Sequence, residues 1–438
     1  MWWLCSAFLV GVCVSSTAVW MVGLAEVDPW LLSVAHPLPS ARNVCVALGV
    51  GTVLLVLLVC RCRRNRQEAL SPRKKIGLQA NPLGDIARAN TYPPPYPNGW
   101  YKVCDSEDLP IGETMHVMCC GEDLAVFRGE DGKAHVLHAY CPHAGANLGV
   151  GGVVKGNCIE CPFHGWQFSG EDGSCTHIPY PECSSFPRQA RTKVWPSLEM
   201  HSMILFYFDA EGRDPPYEPP VVPEIESGKW KKFGKWSRDM HMHIYDFSEN
   251  SADWGHFNYL HVDVNVPLIG RFLTLEHVPG WYTGKLEDDE AHLSYFSTKT
   301  TLKTKSGWVV PKGSAEGMAT FVGPGGLVYF RVETALGTIF WFDTSSPYAP
   351  MKLKNEKVTW HDPKIPRFLV KYVISNWISA FQDDIAVWQH KKFLRQPALA
   401  KGDGPIPEHR RWYRQFYSES SSKVGQRDLE YNGGVLDW

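Results

Sequence analysis

Two short turns, "CPHAGA" at 141–146 and "CPFHGW" at 161–166, each pair one cysteine with one histidine. Cys141 and His143 form a CxH, Cys161 and His164 form a CxxH, and seventeen residues separate His143 from Cys161. Thiolates and imidazoles gathered in this way hold a metal. A single tetrahedral zinc could use all four. A two-iron, two-sulfide centre fits the pattern better, because it asks for two thiolates on one iron and two imidazoles on the other, and each turn supplies one of each. Cys158 competes with Cys161 as a ligand. Only Cys161 shares a turn with an imidazole, so Cys158 reads as a packed thiol.

An iron–sulfur centre moves single electrons, so bond chemistry needs a second site. "NSADWGHFNYLH", residues 250–261, offers His256 and His261. Five helical residues turn the chain by about 500°, leaving the imidazoles roughly 140° apart, so a helix here must bend or end before both can reach one ion. Mononuclear non-haem iron also takes a carboxylate. In "SNWISAFQDDIAVWQHKKF", residues 375–393, helical spacing puts Trp377, Phe381, Asp384 and Trp388 on one stripe and turns Asp383 away from it. A carboxylate on an apolar face needs a partner or a metal. Asp384 is therefore the expected third ligand, with Asp383 as the alternative. His241 and His243, in "HMH", would share a strand face and are the remaining metal candidates.

These residues need elements to hold them. "LAVFRGEDGKAHVLHAYC" alternates on both sides of Asp131 and Gly132, a hairpin that runs directly into Cys141. "GRDPPYEPPVVPE", residues 212–224, reads as a linker. Beyond it come a helical stretch near 247–261, alternating strands such as "HLSYFSTKTTLKT" and "GLVYFRVETALGTIFWF", and a helix near 370–393. Net charge is −2, from 44 basic and 46 acidic residues, which offers no basic surface for nucleic acid. Thirteen cysteines, an odd and scattered set, point to reduced thiols and ligands, not to a disulfide framework. Residues 2–25 and 44–60 carry no charge and are long enough to cross a bilayer. Arg61, Arg63, Arg64 and Arg66 follow the second, which places the rest of the chain on the cytoplasmic side. The first segment could instead be a cleaved signal peptide. The expected organisation is a membrane anchor over 1–66, a linker over 67–97, an all-β cluster domain over 98–211 and a catalytic domain over 225–438.

Taken together, the motifs resemble those of the Rieske non-haem iron oxygenase family. "CPFHGW" resembles the family's second cluster loop, and Asn250, Asp253, His256 and His261 match its NxxDxxHxxxxH motif. Respiratory Rieske proteins carry an extra cysteine in each loop; Ala146 and Phe163 stand at those positions here, which implies a cluster of low potential. The resemblance implies an α+β fold, with an all-β [2Fe–2S] domain and a helix-grip catalytic domain behind a transmembrane anchor. It also implies that Asp253 bridges a cluster histidine of one subunit and an iron-ligating histidine of the next, within a homotrimer. "PNGWYKV" at 97–103 and "DDIAVWQHKK" at 383–392 are similar to the Neverland-type cholesterol 7-desaturases, with 3-ketosteroid 9α-hydroxylases as more distant relatives. That branch implies conversion of cholesterol to 7-dehydrocholesterol with O2 in an endoplasmic-reticulum membrane, the catalytic part facing the cytosol. NAD(P)H electrons would come from a separate reductase, since no GxGxxG follows a strand here. A hydroxylase of a steroid or another lipid is the alternative outcome, and a membrane-tethered electron carrier is the rival from another class.

Overall fold

Strands dominate because apolar residues alternate along most of the chain, and the computed structural model describes residues 87–424 except 182–184, 264–269, 285–288 and 335. Ten strands come first: β1 (Gly99–Asp105), β2 (Thr114–Cys119), β3 (Glu122–Arg128), β4 (Ala134–His138), β5 (Val153–Lys155), β6 (Cys158–Glu160), β7 (Gln167–Ser169), β8 (Cys175–His177), β9 (Ser197–Met200) and β10 (Met203–Phe208). They form antiparallel sheets in the orders β1-β10-β9, β2-β3-β4 and β5-β6-β7-β8. Phe127, Leu137, Leu148, Ile159 and Phe168 fill a small core beneath the two cysteine turns. The Asp131–Gly132 turn joins β3 to β4 as the alternation predicts, with Gly132 at φ +84°.

Seven longer strands follow: β11 (Lys231–Met240), β12 (Leu273–Thr283), β13 (Leu293–Thr304), β14 (Val309–Val322), β15 (Leu327–Thr334), β16 (Gly337–Ala349) and β17 (Lys352–His361). They make one antiparallel sheet in the order β11-β17-β16-β15-β14-β13-β12. Both faces are covered, so its inner strands are apolar on alternate residues in both directions. Phe340, Phe342, Val358 and Trp360 pack on one face with Trp100, Leu205 and Tyr207 of β1 and β10. Phe330 and Trp341 look the other way, into a core shared with Phe381 and Ile385.

A one-turn helix, Pro223–Glu226, leads into this sheet, and four helices follow β11 among the described residues: α1 (Ile244–Asn250), α2 (Phe257–Leu260), α3 (Arg367–Trp388) and α4 (Ile406–Tyr413). α3 buries Val370, Ile374, Phe381, Asp384, Ile385 and Trp388, a stripe at helical spacing. On α1, Asp246 and Glu249 are buried but compensated: Lys391 lies 3.3 Å from Asp246, Arg410 Nε donates to Glu249 at 2.8 Å, and the Tyr92 hydroxyl donates to Asp246 at 2.8 Å. The helical stretch expected near 247–261 is broken between α1 and α2, which is the bend that paired histidines require. The break is pinned from outside. Trp254 N–H donates to the Asp403 carbonyl at 2.8 Å, and Gly404, at φ +100°, comes so close that a Cβ there would stand 2.2 Å from the Ala252 carbonyl oxygen.

The expectation of a membrane anchor is corrected. Among the described residues no helix is long and apolar enough to cross a membrane. α3 has the length, 22 residues, but carries Arg367, Lys371, Asp383 and Asp384 and uses its apolar stripe on the protein core. The segments 2–25 and 44–60, on which the expectation rested, lie outside the described residues. The fold class is therefore α+β, a β-rich cluster domain and a mixed helix–sheet catalytic domain, and neither the transmembrane element nor the endoplasmic-reticulum membrane location is carried forward.

Gly404→Ala should cost at least about 1–2 kcal/mol, the usual penalty for a side chain in the left-handed region, because the close carbonyl adds to it. It should also displace the Ala252–Trp254 segment that leads to His256. Denaturant unfolding and iron content, measured on one preparation, should fall together.

Candidate metal centres

The two cysteine turns are built alike. Cys141 N–H donates to the Ala146 carbonyl at 2.8 Å and Gly145 N–H to the Cys141 carbonyl at 2.9 Å; Cys161 N–H donates to the Trp166 carbonyl at 2.8 Å and Gly165 N–H to the Cys161 carbonyl at 3.0 Å. Gly145 and Gly165 both sit at φ +74°, where a Cβ would be strained. The twin turns bury Cys141 and Cys161, at 2 % and 3 % exposure, and leave His143 exposed and His164 half-buried. The imidazoles stand at the outer edge with ring centroids 4.6 Å apart. Trp166, from the second turn, stacks on His143 of the first at 4.3 Å and so orients it. Cys158 lies outside this arrangement on β6, taking a hydrogen bond from Thr176 Oγ1 at 3.4 Å.

The donors fit a cluster. Burial, more than the neighbouring Cys161, pushes the Cys141 thiol up to about 11, so a thiolate here needs the positive charge that iron supplies. Nδ1 of His164 is buried with no hydrogen-bond partner. One thiol and one imidazole from each turn suit a two-iron unit, which takes two thiolates on one iron and two imidazoles on the other.

A second set of donors gathers in the catalytic part. His256, His261 and Asp384 bring three donor atoms within 4.8 Å of one another. The break before α2 makes this possible: His256 immediately precedes its first residue, His261 follows its last, and the rings lie 5.3 Å apart and nearly perpendicular. α3 delivers Asp384, 7 % exposed, with Oδ1 3.0 Å from His261 Nε2. Both ring nitrogens of His256 are buried without a hydrogen-bond partner, as metal ligands are before the ion is counted. Asp383, one residue away, is only half-buried and does not join the group.

Asp253 sits just outside. Its Oδ1 lies 3.6 Å from His256 Nδ1 and takes the His256 backbone N–H at 3.4 Å, while 41 % of its side chain is exposed. Burial pulls its carboxyl up, but His256 outweighs that and holds it below the usual carboxylate range. His243 takes a different task from the one considered for it: its Nδ1 accepts the Tyr245 N–H at 3.1 Å and caps α1. Neither it nor His241 joins the three-donor group.

One supporting pair was not legible in the sequence. Asn258 on α2 and His277 on β12 exchange two hydrogen bonds, from Asn258 Nδ2 to the His277 carbonyl and from His277 N–H to Asn258 Oδ1, each 2.9 Å. The His277 ring then donates from Nε2 to the His261 carbonyl at 3.2 Å and receives Thr300 Oγ1 on Nδ1 at 3.0 Å. Burial lowers its pKa and keeps it neutral, as that pattern of one donor and one acceptor nitrogen requires. The only hint is a histidine inside the alternating "TLEHVPG".

Comparison with known proteins fits this geometry. Residues 99–196 match the Rieske [2Fe-2S] domain family, and residues 206–417 match the 3-ketosteroid 9alpha-hydroxylase C-terminal domain family. The chain is 35 % identical over 372 residues to a cholesterol 7-desaturase of Caenorhabditis elegans, covering 81 % of this chain and 85 % of that one. The chain belongs to the Rieske non-haem iron oxygenase family. It is also 36 % identical over 356 residues to a cholesterol 7-desaturase of Xenopus laevis, covering 79 % of this chain and 76 % of that one. A crystal structure of dicamba monooxygenase bound to dicamba shares the fold, with a TM-score of 0.54 at 18 % identity over 75 % of this chain and 97 % of that one. This Rieske oxygenase accordingly has two cofactors, a [2Fe–2S] cluster and a mononuclear non-haem iron at His256, His261 and Asp384.

His256→Ala, His261→Ala and Asp384→Ala should each remove one iron of about three per chain while leaving the visible absorbance of the cluster unchanged. Asp383→Ala should keep all of them. Iron analysis beside the absorption spectrum checks this, and iron loss in Asp383→Ala alone would reverse the assignment.

Proposed function

We propose that this Rieske oxygenase uses O2 to oxidise a C–H bond of a steroid or a similar ring lipid. The observation that carries it is the iron trio placed against an aromatic interior, with Asp384 on the same α3 stripe as Phe381 and Trp388. The match of residues 206–417 to the 3-ketosteroid 9alpha-hydroxylase C-terminal domain supports a ring lipid as the class of substrate. In this proposal Cys141 and Cys161 hold one cluster iron and His143 and His164 the other. His256, His261 and Asp384 would hold the mononuclear iron, and iron would supply the activation of O2. The protein's part is to hold the ligands rigid through His277 and Asn258 and to keep water away with the aromatic core.

A second, narrower outcome is favoured by the likeness to the cholesterol 7-desaturases. Cholesterol would lose the hydrogens that leave a double bond between C7 and C8, with O2 reduced to two waters by those two hydrogen atoms together with NAD(P)H and a proton. Hydroxylation instead places one oxygen atom in the product and the other in water, at the same cost in NAD(P)H. A separate reductase would deliver the electrons in either case.

Incubating the holoenzyme with cholesterol, NADPH and a Rieske-type reductase distinguishes the outcomes by mass spectrometry. A product lighter by two hydrogens supports desaturation, and one heavier by an oxygen supports hydroxylation. Turnover of neither cholesterol nor a 3-ketosteroid would refute the ring-lipid class.

We further propose that Asp253 links the iron site to the cluster of a neighbouring copy in a homotrimer. Its half-exposed carboxylate reaches from His256 toward the surface, and the cluster presents its imidazoles at an edge where Tyr140 and Phe163 are also exposed. Asp253→Asn should keep all the iron and lose most of the activity, since an amide cannot accept from imidazole N–H groups on both sides. Mixing an inactive His164→Ala chain with an inactive His256→Ala chain should restore product. Mixed oligomers that stay inactive would show that electrons travel within one chain.

A further inference from the structure

Residues 87–98 pack on the catalytic part before the chain enters β1, and one side chain among them reaches three backbone carbonyls at once. Arg88, 6 % exposed, donates from Nη1 to the Trp388 carbonyl at 3.0 Å and to the Lys391 carbonyl at 3.1 Å, and from Nη2 to the His241 carbonyl at 3.0 Å. Tyr92, four residues on, stacks on His243 at 4.9 Å and donates its hydroxyl to Asp246. Asn98 fixes the end of the stretch, its N–H donating to the Phe416 carbonyl at 2.7 Å.

The three carbonyls belong to two elements that carry iron ligands. Trp388 is the last residue of α3 and lies one turn beyond Asp384, about 6 Å along the helix axis. Lys391 follows in the chain that leaves the helix. His241 stands two residues before His243, the N-cap of α1, and the break that follows α1 ends at His256. One guanidinium therefore joins the end of the element that delivers Asp384 to the start of the element that leads to His256.

Packing alone does not fix how these two elements lie along each other. Phe247 of α1 rests against Phe381 at 5.7 Å and Trp388 at 6.1 Å, the stripe residues on either side of Asp384. Such apolar contact is non-directional and sets no axial position by itself. A hydrogen bond weakens steeply as its angle falls, so three bonds from one rigid plane do set it. The end of a helix leaves its last carbonyls without partners and carries partial negative charge, which a cation matches. Arginine suits the task better than lysine, because its fork holds five N–H donors in a fixed plane, whereas an ammonium is a single point charge on a flexible stem.

We propose that Arg88 is a positioning residue of the mononuclear iron site: by holding the end of α3 against the start of α1, it fixes where Asp384 stands relative to His256 and His261. The role needs the iron trio and no particular substrate, so it goes beyond the oxidation proposed above and does not depend on it.

Metal binding by the anaerobic holoenzyme tests this, with ferrous ion and nitric oxide as probes. In Arg88→Met, a chelator competing for the mononuclear ferrous ion should reveal binding weaker by about 10-fold, the low end of the span for groups that support metal ligands. The electron paramagnetic resonance signal of the ferrous–nitrosyl adduct should change in shape, while the visible absorbance of the cluster stays the same. Arg88→Lys keeps the charge without the fork and should show part of the same loss; it decides the matter should Arg88→Met not fold. Arg128 supplies the control, because its guanidinium likewise reaches three carbonyls, those of Leu109, Gly132 and Ser106, but in the cluster domain. Arg128→Lys should lower the unfolding midpoint and leave ferrous binding and the nitrosyl signal as in the wild type. Wild-type ferrous binding and nitrosyl signal in either Arg88 variant, or an equal loss in Arg128→Lys, would overturn the assignment.

Discussion

Everything in the catalytic part depends on carrying one carboxylate into an apolar core. Asp384 is delivered there by a helix whose buried side is otherwise valine, isoleucine, phenylalanine and tryptophan. An ionised carboxylate in such a place is costly until something positive meets it. His261, 3.0 Å away, begins that compensation, and iron completes it. The helix can therefore be long and tightly packed only if two histidines arrive at one particular place. Their arrival is arranged by the break between α1 and α2, by the loop around Gly404 that presses on it, and by the double hydrogen bond between Asn258 and His277. Packing and metal binding are one problem here, and metal binding contributes to folding as it does in other sites whose ligands cannot come together without an ion.

The cluster domain solves the matching problem differently. Its donors come from two copies of one six-residue turn, each closed by the same two backbone hydrogen bonds and the same left-handed glycine. The copies differ in where the histidine falls, second after the cysteine in one and third in the other, which lets one imidazole stack on Trp166 while the other lies under Phe163 at 3.8 Å. Thiols inward and imidazoles outward put the electron's exit at the surface.

The chemistry-bearing residues were legible because each carries a local signature. Cysteine and histidine in a shared turn point to a metal, and Asp384 is picked out from Asp383 by helical phase alone. The anchor was inferred from the hydropathy of 2–25 and 44–60, and the folded part adds nothing to it, since its longest helix uses its apolar side on protein. His277 was not legible because its partner Asn258 is nineteen residues away and on a helix. The buried pair of Lys357 with Asp343 was hidden for another reason. "KLKNEKVTWH" is polar on both alternating faces at its start, which reads as a solvated edge. Only a sheet covered on both sides turns those charges into buried pairs.

That same strand ties the two domains together. Glu356 faces one side of the sheet, where Lys102 of β1 reaches it at 2.6 Å and Lys235 of β11 at 2.9 Å. Lys357, the next residue, faces the other side and meets Asp343 beneath Phe381 of α3. Successive residues of a strand point to opposite faces, so a slip of one residue would carry a lysine toward Lys102 and Lys235 and a glutamate onto the aromatic-packed face beside Asp343. Both exchanges set like charges against each other in buried surroundings. Buried ion pairs add little net stability, but a pair on each face makes every neighbouring register expensive. The register of β17 thus sets, through adjacent residues, both how the cluster domain sits on the sheet and which partner the buried Lys357 ammonium meets on the opposite face.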